Sequence, residues 1–192
     1  RLQTPGSFDF EIPAWCERLD LVCVGGGGGG EGGNIVTSGS GGSPSSFSAS
    51  TVIRGVDIPW ATTHIKGVVG AGGQPGNGEY NYFSLTQFQW DDWWGGIDGQ
   101  DGEDSTIVAS GMTTINAAGG AGGKNQVTLH GDGINDYTFN GVVYEGSTNA
   151  WFASNDGNYP GGGAAGGWPL VGSGGKGADG EVWIRAYGWS GS

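Results

Sequence analysis

Short β-branched runs alternate along the chain with glycine tracts. Leu19-Asp20-Leu21-Val22-Cys23-Val24 feeds Gly25 through Gly30, then Gly32 and Gly33. The run Thr62 to Val69 feeds Gly70-Ala71-Gly72-Gly73, and Met112 to Ala118 feeds Gly119-Gly120-Ala121-Gly122-Gly123. The last unit is inverted, with Gly161 to Gly167 and Gly172 to Gly180 preceding Glu181-Val182-Trp183-Ile184-Arg185-Ala186-Tyr187, a run of strand composition. Further strands are expected at Phe8 to Ile12, Ser50 to Arg54, Thr106 to Ala109 and Tyr137 to Glu145, the last turning at Asn140-Gly141, a type I′ hairpin signal. No segment of ten or more residues keeps a helical apolar period free of Gly or Pro, so no α-helix is expected. The pattern predicts an all-β fold with a β-sandwich head. If strands leave one end of the sandwich into tracts and the final strand enters from that end, the glycine-rich loops gather at one pole.

Composition changes how those tracts must be read. Glycine and proline number 45 and 7 of 192 residues, a share at which low-complexity disorder is the first reading. Yet nine residues are Trp and only 14% are charged, the opposite of a disordered chain. One ordered domain over residues 1–192 is therefore expected. Glycine follows no strict every-third-residue repeat with proline, which excludes collagen. Side chains normally keep polyproline II helices apart, but glycine lets neighbours approach and hydrogen-bond laterally, so gathered tracts can form a bundle of polyglycine II helices. Flexible linkers are the competing reading. Ala, Trp and Pro interrupt the tracts at discrete places and no tract is a Gly/Ser repeat, which favours the bundle.

A net charge of −12 repels phosphate backbones and anionic membrane surfaces, so no nucleic-acid partner is expected. No window of 18 apolar residues offers a membrane-spanning helix. The stretch Arg1 to Trp15 has neither an initiator Met nor a charged-then-apolar signal pattern, as expected of a fragment or a processed chain. Cys16 and Cys23 lie too far apart along extended chain to bridge and have no His or Cys partner for a metal, so both read as structural thiols.

Several blocks are specific enough to name a family. Phe8-Asp9-Phe10-Glu11-Ile12-Pro13-Ala14-Trp15-Cys16, Arg54-Gly55-Val56-Asp57-Ile58-Pro59-Trp60 and the closing Val182-Trp183-Ile184-Arg185-Ala186-Tyr187 resemble, in the same order, the glycine-rich minor tail proteins of actinobacteriophages. The resemblance implies a virion protein of the distal tail or tail tip that sits among other tail-tip proteins and faces the host envelope. It implies host attachment and supplies no catalytic residue and no cofactor, so no enzyme is expected. Phage adhesins of another group carry packed polyglycine II helices at their tips, an architecture similar to the bundle inferred above. Tail tips are often threefold, which admits a homotrimer, although no heptad or other trimer signal stands in the chain. Where the family leads one to expect more Gly and Ala, residues 79–104 are aromatic and acidic.

That insertion carries the candidate chemistry. Tyr80, Tyr82, Phe83, Phe88, Trp90, Trp93 and Trp94 crowd together with Asp91 and Asp92. Flat rings with polar edges suit saccharides, so Tyr80, Tyr82, Phe88, Trp90, Asp91, Asp92, Trp93 and Trp94 are the candidate ligand-binding residues for a host cell-surface glycan or lipoglycan. The same rings, in a chain short of Leu and Ile, also suit a core or a cap over the glycine threads. A purely structural tail-tip spacer is thus the alternative function, and a tail-associated cell-wall hydrolase a more distant one. Asp98, Asp101, Glu103 and Asp104 extend the acidic cluster. Hard oxygens at this density are calcium chemistry, but no EF-hand order is present and solvated turn acids are the commoner arrangement, so no metal is assigned. His64 and His130 read as structural or surface histidines, and the glycine runs lack the helix that nucleotide-binding loops require.

Overall fold

Each β-branched run finds an antiparallel partner, and the glycine tracts, most of them continuous with a strand end, hydrogen-bond with one another. The computed structural model describes residues 1–34, 37–78, 96–124, 128–170 and 172–188. Among these residues there are strands and no helix: β1 (Gly6–Glu11), β2 (Arg18–Val24), β3 (Phe47–Ile53), β4 (His64–Val69), β5 (Ser105–Val108), β6 (Ile115–Ala117), β7 (Tyr137–Phe139), β8 (Val142–Tyr144) and β9 (Glu181–Tyr187). They form a four-stranded sheet in the order β1-β4-β5-β6, a three-stranded sheet β3-β2-β9 and the hairpin β7-β8. The all-β expectation holds. Asn140 and Gly141 both take positive φ, 47° and 74°, as the type I′ turn demands. β3 starts at Phe47, ahead of the expected Ser50, because β2 keeps pairing as far as Val24 opposite Phe47. β6 is shorter than the run from Met112, because β5 pairs only with Ile115 to Ala117.

One buried cluster draws on both sheets. Leu19, Leu21 and Cys23 of β2 join Val52 and Val182 on one side, with Ile65, Val69, Ile107, Ile115 and Ala117 on the other. Each fully buried aliphatic side chain contributes about 1.5–3 kcal/mol. The cluster holds no tryptophan, and Trp15, Trp60, Trp151 and Trp168 are exposed. Cys16 and Cys23 are free and buried, and burial pushes the Cys23 thiol up to about 12. On the other face of β2, Asp20, Val22 and Val24 are also buried. The hairpin β7-β8 lies over that side of the sheet, with Tyr137 stacked on Phe47 at 5.2 Å and Asn140 donating to Thr51 Oγ1 at 2.8 Å.

Past Val24 the chain runs as a buried thread, 25–33, at the centre of six others. Its amides donate in strict rotation. Gly25, Gly28 and Glu31 donate to Ser46, Ser43 and Ser40; Gly26, Gly29 and Gly32 to Glu103, Gln100 and Ile97; Gly27, Gly30 and Gly33 to Ala178, Gly175 and Gly172. Each neighbour is met at every third residue, and its numbering falls as the central numbering rises, so these three threads are antiparallel to the centre. The central carbonyls accept from three parallel threads: Gly26 and Gly29 from Gly120 and Gly123, Gly27 and Gly30 from Gly73 and Gly76, Gly28 and Glu31 from Ala164 and Gly167. The six outer threads also bond around the ring. Ser43 donates to Ala121, Gly102 to Gly120, Glu103 to Ala71, Gly177 to Gly73, Gly175 to Ala165 and Gly42 to Ala164.

Close approach explains why the centre is glycine. A Cβ at Gly28 would stand 2.0 Å from the Ala121 carbonyl oxygen, and one at Gly30 2.0 Å from that of Ala165. Both obstacles are backbone, so no rotamer change relieves them. Gly28→Ala is therefore expected to destabilise by about 1–3 kcal/mol or more, lowering the unfolding midpoint by several degrees. Gly188→Ala, where the nearest atoms lie at 3.4 Å, is the matched control and should stay within about 0.5 kcal/mol; thermal and urea unfolding of both variants check this.

Candidate functional site

Beyond the last rungs of the central thread, near Asn34, Trp168 and Leu170, several apolar side chains are exposed. Asn34 closes the first turn: its Oδ1 accepts from Thr37 N at 2.6 Å and Thr37 Oγ1 at 3.0 Å, and its own N–H donates to Thr37 O. Short Asx side chains commonly fix such turns. The Trp168-to-Gly172 turn is pinned beside it, with Leu170 N donating to Asn34 O at 2.8 Å and Gly172 N to Trp168 O at 3.0 Å. Leu170 takes φ of 67°, unusual for a leucine, and its side chain is 74% exposed; Trp168 is 57% exposed. Ile97, also exposed, donates to Asn77 O beside Gly32. Backbone strain that displays an apolar side chain to solvent calls for a functional explanation.

The eight residues chosen from the sequence, Tyr80, Tyr82, Phe88, Trp90, Asp91, Asp92, Trp93 and Trp94, lie outside the described residues. The chain on either side of them is described. Gly76 donates to Gly30 O, and Gly96 to Gly32 O. Both flanks therefore stand at the level of the Asn34 and Trp168 turns. Residues 96–104, grouped with the insertion on composition, belong to the bundle as one of the outer threads. A second aromatic group sits on the flank, where His130 stacks on Trp151 at 5.2 Å and Phe152 is exposed.

The acidic residues act as caps on backbone amides. Asp104 Oδ1 accepts from Gly119 N at 2.9 Å, Asp101 Oδ1 from Gly122 N at 2.7 Å, and Asp98 pairs with Lys124 at 3.9 Å. These acids recur every third residue on one thread and meet the antiparallel neighbour in turn at Gly119, Gly122 and Lys124. Glu103 caps Ala71 N, Asp179 caps Gly72 N and Asp156 caps Lys176 N. Among the described residues no group of three His, Cys, Asp or Glu is placed to hold a metal ion. The Gly119 amide, with help from Asn116, holds the Asp104 carboxyl below its usual range.

Glu31, overlooked in the sequence, is the one side chain inside the central thread, and it is 1% exposed. Along that side Ser46 N donates to Ala118 O and Ser43 N to Ala121 O, so the next step of three would take Ser40 N to residue 124. Ser40 N donates instead to Glu31 Oε2 at 2.9 Å. The carboxylate thus replaces the carbonyl of a neighbouring thread, and its other oxygen, Oε1, is buried without a hydrogen bond. The signal available in the sequence was an acid interrupting a run of eight glycines.

The chain belongs to the Glycine-rich domain family, which it matches over residues 3–187. It is similar to the Gene 32 protein of Mycobacterium phage D29, 40% identical over 190 residues that cover 95% of this chain and 80% of that protein. It is also similar to the Gene 32 protein of Mycobacterium phage L5, 36% identical over 187 residues that cover 96% and 79%. These relatives identify a glycine-rich phage protein.

Two outcomes follow. Glu31→Ala removes the acceptor for Ser40 N and should cost about 1–3 kcal/mol, whereas Glu31→Gln keeps an acceptor and should stay near the parent; urea unfolding distinguishes them. Because the Asp104 carboxyl is depressed in the folded state, its stabilisation is complete above the ordinary aspartate value of 3.8 and is lost as pH falls below it. The unfolding temperature should drop in that acid window, less steeply for Asp104→Ala.

Proposed function

We propose that the chain is a minor tail protein of the virion, placed at the distal tail, whose β-sandwich head carries a polyglycine II bundle with its turns presented to the host surface. The observation that carries this reading is the period of three in every inter-thread ladder, which is the period of a helix with three residues per turn. Seven such threads held at centre and rim make a stiff projection. Rigid scaffolds that present loops are a common way to build a binding end. The strained Leu170, the exposed Trp168 and the two flanks of the aromatic insertion all stand at that end.

In this reading the ligand is a host cell-surface glycan or lipoglycan, the neighbours are other tail-tip proteins, and the protein acts by binding without a catalytic step. A homotrimer is compatible with the threefold symmetry common at tail tips. The spacer alternative has its own support, because a bundle that satisfies its own backbone needs no ligand to be rigid.

Adsorption separates the two. Virions carrying Trp93→Ala with Trp94→Ala, or Trp168→Ala with Leu170→Gly, should assemble normally and lose about tenfold or more in adsorption, equivalent to about 1.4 kcal/mol. Purified parent protein should compete for adsorption sites on susceptible cells. Normal adsorption by both variants, with the protein still in the tail, contradicts receptor binding and favours the spacer; absence of the protein from immunolabelled distal tails contradicts the placement.

A further inference from the structure

A cavity of about 500 Å³ opens between β8 and β9 on the hairpin side of the three-stranded sheet, apart from the turns of the bundle. Its walls include Tyr144, Tyr159 and Trp183, with Arg1, Arg185 and Glu145 supplying charge. Such a volume is typical of small-ligand sites. The ring positions are fixed by packing. Trp183 stacks on Phe47 at 6.0 Å and meets the Tyr144 ring edge-on at 5.2 Å.

The polar groups divide into two sets. One is internally satisfied: Glu181, fully buried, accepts from Arg1 and, at 2.7 Å, from Tyr159 Oη. Arg1 also lies over the Trp183 ring, its guanidinium carbon 5.9 Å from the centroid. The other set has spare capacity. Tyr144 is 4% exposed, and its buried hydroxyl makes no well-formed hydrogen bond; the Arg185 guanidinium is a weak hydrogen-bond partner as well as a neighbouring charge. Arg185 makes no ion pair among the described residues, in a chain with only seven Lys and Arg. A native buried hydroxyl that is only weakly satisfied requires an explanation, and a bound ligand supplies one here.

We propose that this cavity binds an acidic saccharide, a sugar ring bearing one carboxylate. The Arg185 guanidinium, free of any ion pair among the described residues, offers a planar fork that matches a carboxylate. Tyr144 Oη and the Glu145 carboxylate are the partners for ring hydroxyls, and the Trp183 and Tyr159 rings give the apolar faces on which a sugar's C–H face lies. This site does not depend on the binding role of the bundle's turns, and either can fail without the other.

Titration with glucuronic acid, glucose and inorganic phosphate, followed by the indole and tyrosine ring resonances in NMR, tests it. The expected result is saturable perturbation of the Trp183 and Tyr144 signals by glucuronic acid, with a Kd of about 1 mM or tighter. Arg185→Met should weaken binding about tenfold and Tyr144→Phe severalfold, with the fold of each variant checked by its unperturbed core methyl resonances. Equal binding of glucose overturns the role of the guanidinium, and binding of phosphate as tight as that of glucuronic acid overturns the saccharide. No perturbation by any of the three overturns the site.

Discussion

Everything beyond the strands depends on one constraint, that a backbone carbonyl can sit where a Cβ would be. In 25–33 the amides and carbonyls are consumed by six neighbours, and the carbonyls that would collide with side chains are the close packing itself. Buried backbone polar groups must be paired, and a single thread offers itself no partners. Six surrounding threads supply the partners of every central amide and of the carbonyls from Gly26 to Gly32, at the cost of excluding every side chain but that of Glu31 from the centre. Ordering glycine carries the largest backbone entropy cost of any residue, so the arrangement requires that hydrogen-bond density and the anchoring of six of the seven threads at strand ends.

The strands provide that anchoring. β2, central in its sheet, runs directly into the central thread, while β4 and β6 launch parallel outer threads and the antiparallel ones return into β3, β5 and β9. The interlock extends to side chains. Ser105, buried at the start of β5, donates to Val24 O and accepts from Gly70 N, tying three chains together where sheet becomes thread. The outer rim is finished by acids, whose carboxylates cap amides that would otherwise face solvent. Much of the net negative charge is therefore part of the architecture.

Much of this was legible in the sequence. The alternating runs located the strands within a few residues, and Asn140-Gly141 gave its hairpin. What escaped notice was a local glycine period. Gly96, Gly99 and Gly102, like Gly174, Gly177 and Gly180, recur every third residue and face the central thread, but acids at Asp98, Asp101 and Asp104 hid the first of these threads inside what looked like an aromatic insertion. The intervening positions face outward and accept side chains, so composition there carries no thread signature. Glu31 was hidden differently: its role is defined by where a neighbouring thread departs, a tertiary fact. The turn at Trp168 to Gly172 lacked any signal beyond Pro169, because the strain at Leu170 is set by its bond to Asn34.

Native-state amide hydrogen exchange tests the central claim most directly, because it reads the central amides one by one. If the seven-thread bundle is as cooperative as its ladders imply, the amides of Gly26 to Gly30 exchange only through global opening, as slowly as those of Leu21 and Val22 in β2. Exchange of those glycine amides on the timescale of exposed loops, with β2 still protected, would contradict it.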